Sequence, residues 1–248
     1  MGHQAGVRQA ETSPIRSRLS FALIVLAATL LAAPARAQIE VDLKLALMVD
    51  ASGSVNQYRF ELQKRGYAAA LRNPRVLGAV LGGRTQSIAI SMVQWTGPFL
   101  QTVVLPWTQI KDEASIKGAA AVIENTPRQL FGGGTSISGA IDYAMAMFSQ
   151  SPFKSERQVI DISGDGSNNG GRSVIRARDE AVAKDVTING LPILAVEPYL
   201  DQYYRDYVIG GPGAFMIVAK DFESFGDAIL KKMIIEIAAN ETPRRRVN

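Results

Sequence analysis

The sequence predicts a doubly wound, Rossmann-like α/β sandwich of three layers, with a mostly parallel six-stranded sheet, one antiparallel edge strand and helices on both faces. The first observation is that short apolar runs, typical of buried strands, alternate with segments of about 10–15 residues that have helical periodicity. The second is that three polar loops follow strands or precede helices. In such sheets ligands bind beyond the carboxyl ends of the strands, where these loops are expected.

Six segments have the composition of strands. They are residues 43–49, 87–95, 101–105, 157–162, 191–196 and 214–218. Gly97-Pro98 is a turn signal between the second and third segments, so the third is expected to be the antiparallel edge strand.

Six other segments have the periodicity of amphipathic helices. They are residues 57–73, 111–125, 137–148, 172–184, 200–208 and 222–237. Asn73-Pro74 is a stop signal, so the first helix should end there.

Residues 1–37 have the pattern of a secretory signal peptide. Three arginines precede a largely apolar run at 19–33, and Ala35-Arg36-Ala37 offers small residues for cleavage after Ala37. The run is shorter than the roughly 20 residues of a comfortable membrane span, and an uncleaved anchor is the alternative. The sequence therefore predicts one domain at 38–239, followed by a disordered basic tail at 240–248.

The composition excludes several classes of site. The 248-residue chain has no Cys, and its one His, His3, lies in the predicted signal peptide. The predicted mature chain therefore cannot form a Ser-His-Asp triad, a Cys-His pair or a His/Cys zinc site. Four Arg and one Glu give the signal peptide +3 of the formal net charge of +4. Since little positive charge is left for the domain, nucleic-acid binding is not expected.

Oxygen-bearing side chains are concentrated in the three loops. Asp50, Ser52 and Ser54 follow the first strand as D-x-S-x-S, Thr135 lies in loop 132–136, and Asp165 lies in loop 163–169. Carboxylates and hydroxyls are hard ligands that suit Mg²⁺, Mn²⁺ or Ca²⁺. Each loop also has a simpler interpretation. Ser52 and Ser54 could form a turn that caps the next helix, Thr135 or Ser136 could cap the helix at 137, and loop 163–169 could be an ordinary turn.

Together and in this order, the motifs resemble the metal-ion-dependent adhesion site (MIDAS) of von Willebrand factor type A (VWA) domains. The resemblance covers residues 41–238, and the pattern is most similar to an exported bacterial VWA-like family of uncharacterised function. It implies that Ser52, Ser54 and Thr135 offer hydroxyl oxygens to a divalent cation, with Mg²⁺ the default and Mn²⁺ or Ca²⁺ possible. Asp50 and Asp165 would bind directly or through water. A carboxylate from a partner would take the remaining coordination position.

Two positions depart from the pattern of the family. Gly164 stands where many members have Thr, which removes one hydroxyl near the site. Asp161 lies in a strand that is normally apolar, and we interpret it as a polar contact or an acid at the sheet edge.

The function expected from these features is that of an exported, non-catalytic module that binds an unknown protein or other acidic ligand through the cation. It would be periplasmic or secreted, with no membrane span in the mature chain. One alternative is a metal-dependent phosphoryl-transfer enzyme that uses Asp50, and another is a scaffold whose site has lost metal binding. Five residues at or just after strand ends are candidates for the partner surface: Trp95, Thr96, Asn168, Asn169 and Glu197.

Overall fold

The computed structural model describes residues 1–3, 6 and 38–239. The chain divides into two units at Ala37, and every element below belongs to the second unit, Gln38–Asn248. The predicted cleavage site and the predicted basic tail lie outside the described residues, and both stay predictions. None of the helices in the described part of the chain is long and apolar enough to cross a membrane.

A five-stranded sheet forms the middle layer. Its strands lie in the order β4-β3-β2-β6-β7, and only β4 is antiparallel to its neighbour. Their bounds are Lys44–Asp50 (β2), Ile88–Trp95 (β3), Gln101–Ile110 (β4), Gln158–Gly164 (β6) and Val186–Pro192 (β7). Two short strands, β1 (Ile39–Glu40) and β5 (Phe153–Lys154), form a separate parallel pair. The predicted fold class and antiparallel edge strand are confirmed.

Helices cover both faces of this sheet. They are α1 (Gln57–Arg72), α2 (Pro74–Leu81), α3 (Glu113–Asn125), α4 (Ile137–Ser149), α5 (Val174–Val182), α6 (Leu200–Tyr203) and α7 (Phe225–Ala238). The last turn of α6 continues as a π-helical segment, Tyr204–Val208.

The central strand β2 is buried along its whole length and feeds two cores. Leu45, Leu47 and Val49 belong to the core under α1, α2, α3 and α7. Ala46 and Met48 point the other way, into the core under α4, α5 and α6. Because alternate residues of a strand face opposite sides, an apolar run at this position requires helices on both faces.

The sheet has five strands, so the prediction of six was wrong. The segment 214–218 meets β7 only at isolated bridges, such as Gly190 with Met216. The edge of β7 is already engaged there. Ile188 exchanges backbone hydrogen bonds of 2.8 and 3.1 Å with Gly210, and the Asn189 side chain accepts the Phe215 N–H at 2.9 Å. Gly190 also exchanges backbone hydrogen bonds of 3.1 Å with Phe215 and Ile217, but Pro192 has no N–H with which to continue this row into a sixth strand.

The position of the fifth strand was also predicted wrongly. β7 runs from Val186 to Pro192 and overlaps the predicted segment 191–196 at only two residues. Its pairing with β6 extends from Gln158–Val186 to Gly164–Pro192. The last bond of this ladder runs from the Ile193 N–H to the Gly164 carbonyl, at 2.9 Å.

Asn73-Pro74 ends α1 as predicted and also starts α2, which the sequence reading missed. The Asn73 side chain accepts the Arg75 N–H at 3.0 Å, and Pro74 occupies the first turn. Pro is favoured there because the first turn has no partner for its missing N–H.

Candidate metal centre

The carboxyl edge of the sheet gathers the five residues predicted to bind metal. Asp50 is the last residue of β2, with Ser52 and Ser54 in the loop that follows. Asp165 follows β6 directly, and Thr135 lies just before α4. Because β2 and β6 are parallel neighbours, their ends meet at this edge. We call the set Asp50, Ser52, Ser54, Thr135 and Asp165 the edge cluster.

Hydrogen bonds connect four members of the edge cluster. Asp50 Oδ1 accepts the Ser52 N–H at 2.7 Å, and the Ser52 and Ser54 hydroxyls lie 3.2 Å apart. The Ser54 hydroxyl donates to Asp165 Oδ1 at 2.5 Å, and the Asp165 N–H donates to Asp50 Oδ2 at 3.4 Å. The two carboxylates and two hydroxyls therefore line one small polar site.

Thr135 reaches the same site through a glycine-rich bend. Gly132 and Gly133 have φ of 77° and 86°, a left-handed conformation that Gly adopts without steric cost. Asn169 then fixes Thr135: its side chain accepts the Thr135 N–H and its N–H donates to the Thr135 carbonyl, both at 2.8 Å. A Cβ on Gly166 would lie 3.5 Å from Thr135 Oγ1, so the hydroxyl lies close to the Asp165 loop.

The helix caps are made by other residues. Asn56 caps α1, since its side chain accepts the Arg59 N–H at 2.9 Å. Ser136 caps α4 by accepting the Gly139 N–H at 3.1 Å. Ser52, Ser54 and Thr135 are therefore not the cap residues of these helices, although the Val55 N–H does close a turn on the Ser52 carbonyl at 3.1 Å.

Three side chains that the sequence reading missed hold the first loop in place. The Arg128 guanidinium donates to the carbonyls of Ala51 and Ser52 at 2.8 and 3.1 Å. Gln63 donates to the Asp50 carbonyl at 3.1 Å, and Arg59 donates to the Ser54 carbonyl at 2.7 Å. The sequence could have identified Gln63, because it lies near Phe60 and Tyr67 on the apolar face of α1, where a buried polar side chain needs a hydrogen-bond partner.

The two carboxylates are fully buried, and among the described residues neither forms an ion pair closer than 3.6 Å. Burial raises the pKa of Asp50 to about 7, and the nearby Asp165 carboxylate adds to the rise, while the Ser52 N–H opposes it. Burial also raises the pKa of Asp165, against the hydrogen bond from Ser54 and the charge of Arg59. Arg59 Nη1 lies 3.6 Å from Asp165 Oδ2, and its side chain is partly exposed.

The edge cluster fits a hard divalent cation. Within the described residues, Asp165 Oδ2 has no hydrogen-bond donor although it is buried. Buried carboxylates are costly unless they are paired or bind a metal. Two carboxylates and three hydroxyls offer only oxygen, which matches the preference of Mg²⁺, Mn²⁺ and Ca²⁺.

The predicted partner surface needs correction. Trp95 and Thr96 are fully buried, so they cannot contact a partner directly. Asn168 and Glu197 are partly buried and hold loops; for example, Glu197 Oε1 accepts the Ser167 N–H at 2.9 Å. Asn169 is exposed, as a partner surface requires. Three aromatic side chains near these loops are also exposed: Phe99 by 95%, Tyr199 by 73% and Phe131 by 72%.

Comparison with known proteins then identifies the family. Residues 40–241 match the family described as "Protein of unknown function (DUF1194)". The chain belongs to this family. A comparison of this DUF1194 protein with curated proteins gave no match.

Solved structures share the fold of this DUF1194 protein. A von Willebrand factor type A protein from Catenulispora acidiphila is 16% identical, with a TM-score of 0.56 over 80% of this chain and 43% of that one. Proximal thread matrix protein 1 of the mussel byssus, with a zinc-occupied MIDAS motif, is 16% identical, with a TM-score of 0.56 over 80% and 46%. The pilus adhesin SpaC from Lactobacillus rhamnosus GG is 14% identical, with a TM-score of 0.58 over 81% and 31%.

The DUF1194 protein spans less than half the length of each of these three structures. At these identities the likeness establishes the fold, which is that of VWA domains. The resemblance predicted from the loops is thereby confirmed at the level of the fold.

Proposed function

We propose that this protein is an exported, non-catalytic binding module that holds a divalent cation in the edge cluster and uses it to engage an acidic group on a partner. The observation that carries the proposal is the pair of fully buried carboxylates, Asp50 and Asp165, at the carboxyl edge of the sheet. In the described part of the chain no ion pair reaches Asp50, and Asp165 has only the partly exposed Arg59 at 3.6 Å. A cation between the carboxylates would remove the cost of burying them.

The five side chains of the edge cluster would hold this cation. Asp50 and Asp165 would supply the negative charge, and Ser52, Ser54 and Thr135 would add neutral oxygens. A cation such as Mg²⁺ takes six oxygen ligands and commonly keeps waters, so five side chains leave room for a ligand from outside. A carboxylate on a partner protein suits that position because it is a hard, negatively charged oxygen donor.

The comparisons support a divalent cation without selecting one. One structure of the same fold has zinc in its MIDAS motif, whereas the all-oxygen donor set of this protein favours Mg²⁺ or Mn²⁺. Another is a pilus adhesin, which agrees with a binding role at or outside the cell envelope. The signal-peptide pattern at 1–37 supports the same location.

Metal binding is tested by calorimetry and thermal unfolding of the purified protein with Mg²⁺, Mn²⁺, Ca²⁺ or Zn²⁺. We expect saturating Mg²⁺ or Mn²⁺ to raise the Tm by about 5–10 °C, as for a ligand present at about 100 times its Kd. Asp50→Asn should abolish this gain. The same variant should be more stable than the wild type in EDTA, because it removes a buried carboxylate that repels Asp165.

Asp50→Asn should thus lose the metal-induced gain in Tm and yet be more stable than the wild type in EDTA. A variant that merely failed to fold would be less stable in both conditions. Asp161→Asn is the matched control, since it neutralises another fully buried acid of the sheet and should keep the metal-induced gain in Tm. A wild type that binds none of the four cations, or an Asp50→Asn variant that binds as tightly as the wild type, would refute the metal site. Capture of a partner by the wild type in Mg²⁺, but neither in EDTA nor by Asp50→Asn, would then support the adhesion role.

A further inference from the structure

Tyr204 is a fully buried residue whose hydroxyl makes no contact that stabilises the described part of the fold. Its side chain has no exposed surface, and within the described residues its hydroxyl has no hydrogen-bond partner. It begins the π-helical segment Tyr204–Val208. Such segments are rare and often occur at functional sites. A buried phenol normally finds a partner, so the position of this hydroxyl requires an explanation.

Two glycines on neighbouring strands make the space that the Tyr204 ring fills. A Cβ on Gly190 of β7 would lie 2.6 Å from Tyr204 Cδ1, which is too close for any side chain. A Cβ on Gly164 of β6 would lie 3.2 Å from the Tyr204 hydroxyl. The ring therefore lies across the ends of β6 and β7 and directs its hydroxyl toward the carboxyl edge.

The second atom near the Cβ position of Gly164 is Asp50 Oδ2, which belongs to the edge cluster. The same Cβ position lies 2.9 Å from Asp50 Oδ2, so the phenol and this carboxylate oxygen lie on two sides of the space above Gly164. Asp50 Oδ2 has one long hydrogen bond, from the Asp165 N–H at 3.4 Å, and can accept another. Burial, with the charges of Asp50 and Asp165, raises the pKa of Tyr204 well above its ordinary value, so the phenol stays a neutral donor.

We infer that Tyr204 is a positioning residue of the cation site: its hydroxyl, which has no partner among the described residues, donates a hydrogen bond to Asp50 Oδ2 once the cation is bound and orients the carboxylate toward it. This inference rests on the proposed function. Gly164 is essential to it, because a side chain there would occupy the space between donor and acceptor. Outer partners of this kind fix the orientation of a ligand, and their loss typically weakens metal binding by about 10–100-fold.

The first test measures the Kd for Mn²⁺ of Tyr204→Phe by calorimetry. We expect it to rise by about 10-fold or more, because the variant keeps the ring and loses only the hydroxyl. Tyr67→Phe is the matched control. Tyr67 is equally buried but belongs to the core on the other face of the sheet, where its hydroxyl lies 3.2 Å from Ser163 Oγ. The Kd of the Tyr67→Phe variant for Mn²⁺ should stay within about twofold of the wild-type value.

The second test observes the phenol itself by ¹⁹F NMR of protein labelled with 3-fluorotyrosine. The chain has seven Tyr, and the resonance of Tyr204 is the one that Tyr204→Phe removes. We expect Mg²⁺ to shift the Tyr204 resonance and to leave the Tyr67 resonance unchanged. If Tyr204 had only a structural role, its resonance would not respond to Mg²⁺.

The outcomes distinguish this inference from the proposed function. If Tyr204→Phe binds Mn²⁺ like the wild type, and the Tyr204 resonance of the wild type does not shift with Mg²⁺, the role of Tyr204 is overturned while Asp50→Asn still defines a metal site. A wild type that binds neither cation overturns both.

Discussion

Two groups of buried acids in this protein have different surroundings. The edge cluster holds Asp50 and Asp165, both without exposed surface. The second group, which we call the helix cluster, consists of Asp161 on β6 with Lys232 and Glu236 on α7, and is equally buried. In the helix cluster Lys232 Nζ lies 2.6 Å from Asp161 Oδ1 and 2.5 Å from Glu236 Oε1. The predicted polar contact of Asp161 is thus an ion pair with Lys232.

Within the described residues, a lysine contacts both acids of the helix cluster, whereas Arg59 and Arg128, the arginines near the edge cluster, make no ion pair of such short distance with its acids. Asn189 also donates to Glu236 Oε1 at 2.9 Å, so the helix cluster joins β6, β7 and α7 through internal contacts alone. At the edge cluster the nearest ion pair is the one between Arg59 and Asp165, at 3.6 Å. The difference shows that the acids of the helix cluster serve the packing of α7, and it supports the proposal that those of the edge cluster bind an external cation.

The largest effect is expected from Lys232→Met, which removes the cation of the helix cluster. Asp161 and Glu236 would then be buried without a countercharge, and the free energy of unfolding should fall by about 3–5 kcal/mol. Urea unfolding measures the change. Lys117→Met is the matched control, because Lys117 pairs with Glu113 at the same helical spacing but on the surface, where such pairs contribute about 0.5 kcal/mol or less. Equal losses in the two variants would show that burial does not distinguish the pairs.

The edge cluster should make the metal-free protein less stable as the pH rises. Because burial raises the pKa of Asp50 from 3.8 to about 7, the folded protein keeps a proton that the unfolded chain has already released between these values. The free energy of unfolding should therefore fall between about pH 4 and pH 7, by about 1–4 kcal/mol. Urea unfolding in EDTA at several pH values measures this decline.

Asp50→Asn should reduce the fall in the free energy of unfolding with pH. Glu236 should contribute to the fall that remains, because burial and the charge of Asp161 also raise its pKa. Mg²⁺ should stabilise the wild type more at pH 7.5 than at pH 5, since the cation competes with the proton for the carboxylate. If Asp50→Asn declined with pH as steeply as the wild type, Asp50 would not be the titrating group.

The smallest effect is expected at the surface of the edge cluster. The ring of the exposed Phe131 lies 5.1 Å from the Arg128 guanidinium, which holds the carbonyls of the first loop. Phe131→Ala should lower the free energy of unfolding by about 0.5–1 kcal/mol through loss of this cation–π contact. Phe99→Ala removes an even more exposed ring and should change it by less than about 0.5 kcal/mol. A larger loss in Phe99→Ala would argue against the role of Arg128.

Local patterns were sufficient for the fold class and for the five candidate ligands. The apolar run before Asp50 marks a buried strand, and the residues after a buried strand of a parallel sheet must lie at its carboxyl edge. The same reasoning places Asp165, and the Gly-rich bend places Thr135. Metal binding by these residues stays a prediction, although the structure brings them together.

Local patterns were insufficient where a distant partner decides the outcome. Segment 214–218 has strand composition and bonds to Gly190 of β7, but Pro192 on the same edge has no N–H to continue the pairing. Trp95 looked available at a strand end, yet it is buried in the core under α4, α5 and α6. In both cases long-range packing overrides local propensity.

The sequence by itself determined the fold class and placed five oxygen-bearing residues in loops at one edge of the sheet: Asp50, Ser52, Ser54, Thr135 and Asp165. It also excluded His and Cys chemistry from the predicted mature chain, because this follows from composition. Only the tertiary structure decided that Lys232 neutralises Asp161, that Arg128 holds the first loop, and that the Tyr204 hydroxyl and Asp50 Oδ2 lie on two sides of the space above Gly164. These contacts join residues that are far apart in the chain, and the local sequence around one residue does not identify its partner. Burial of the acids is thus encoded locally, whereas their neutralisation depends on the packing of the whole domain.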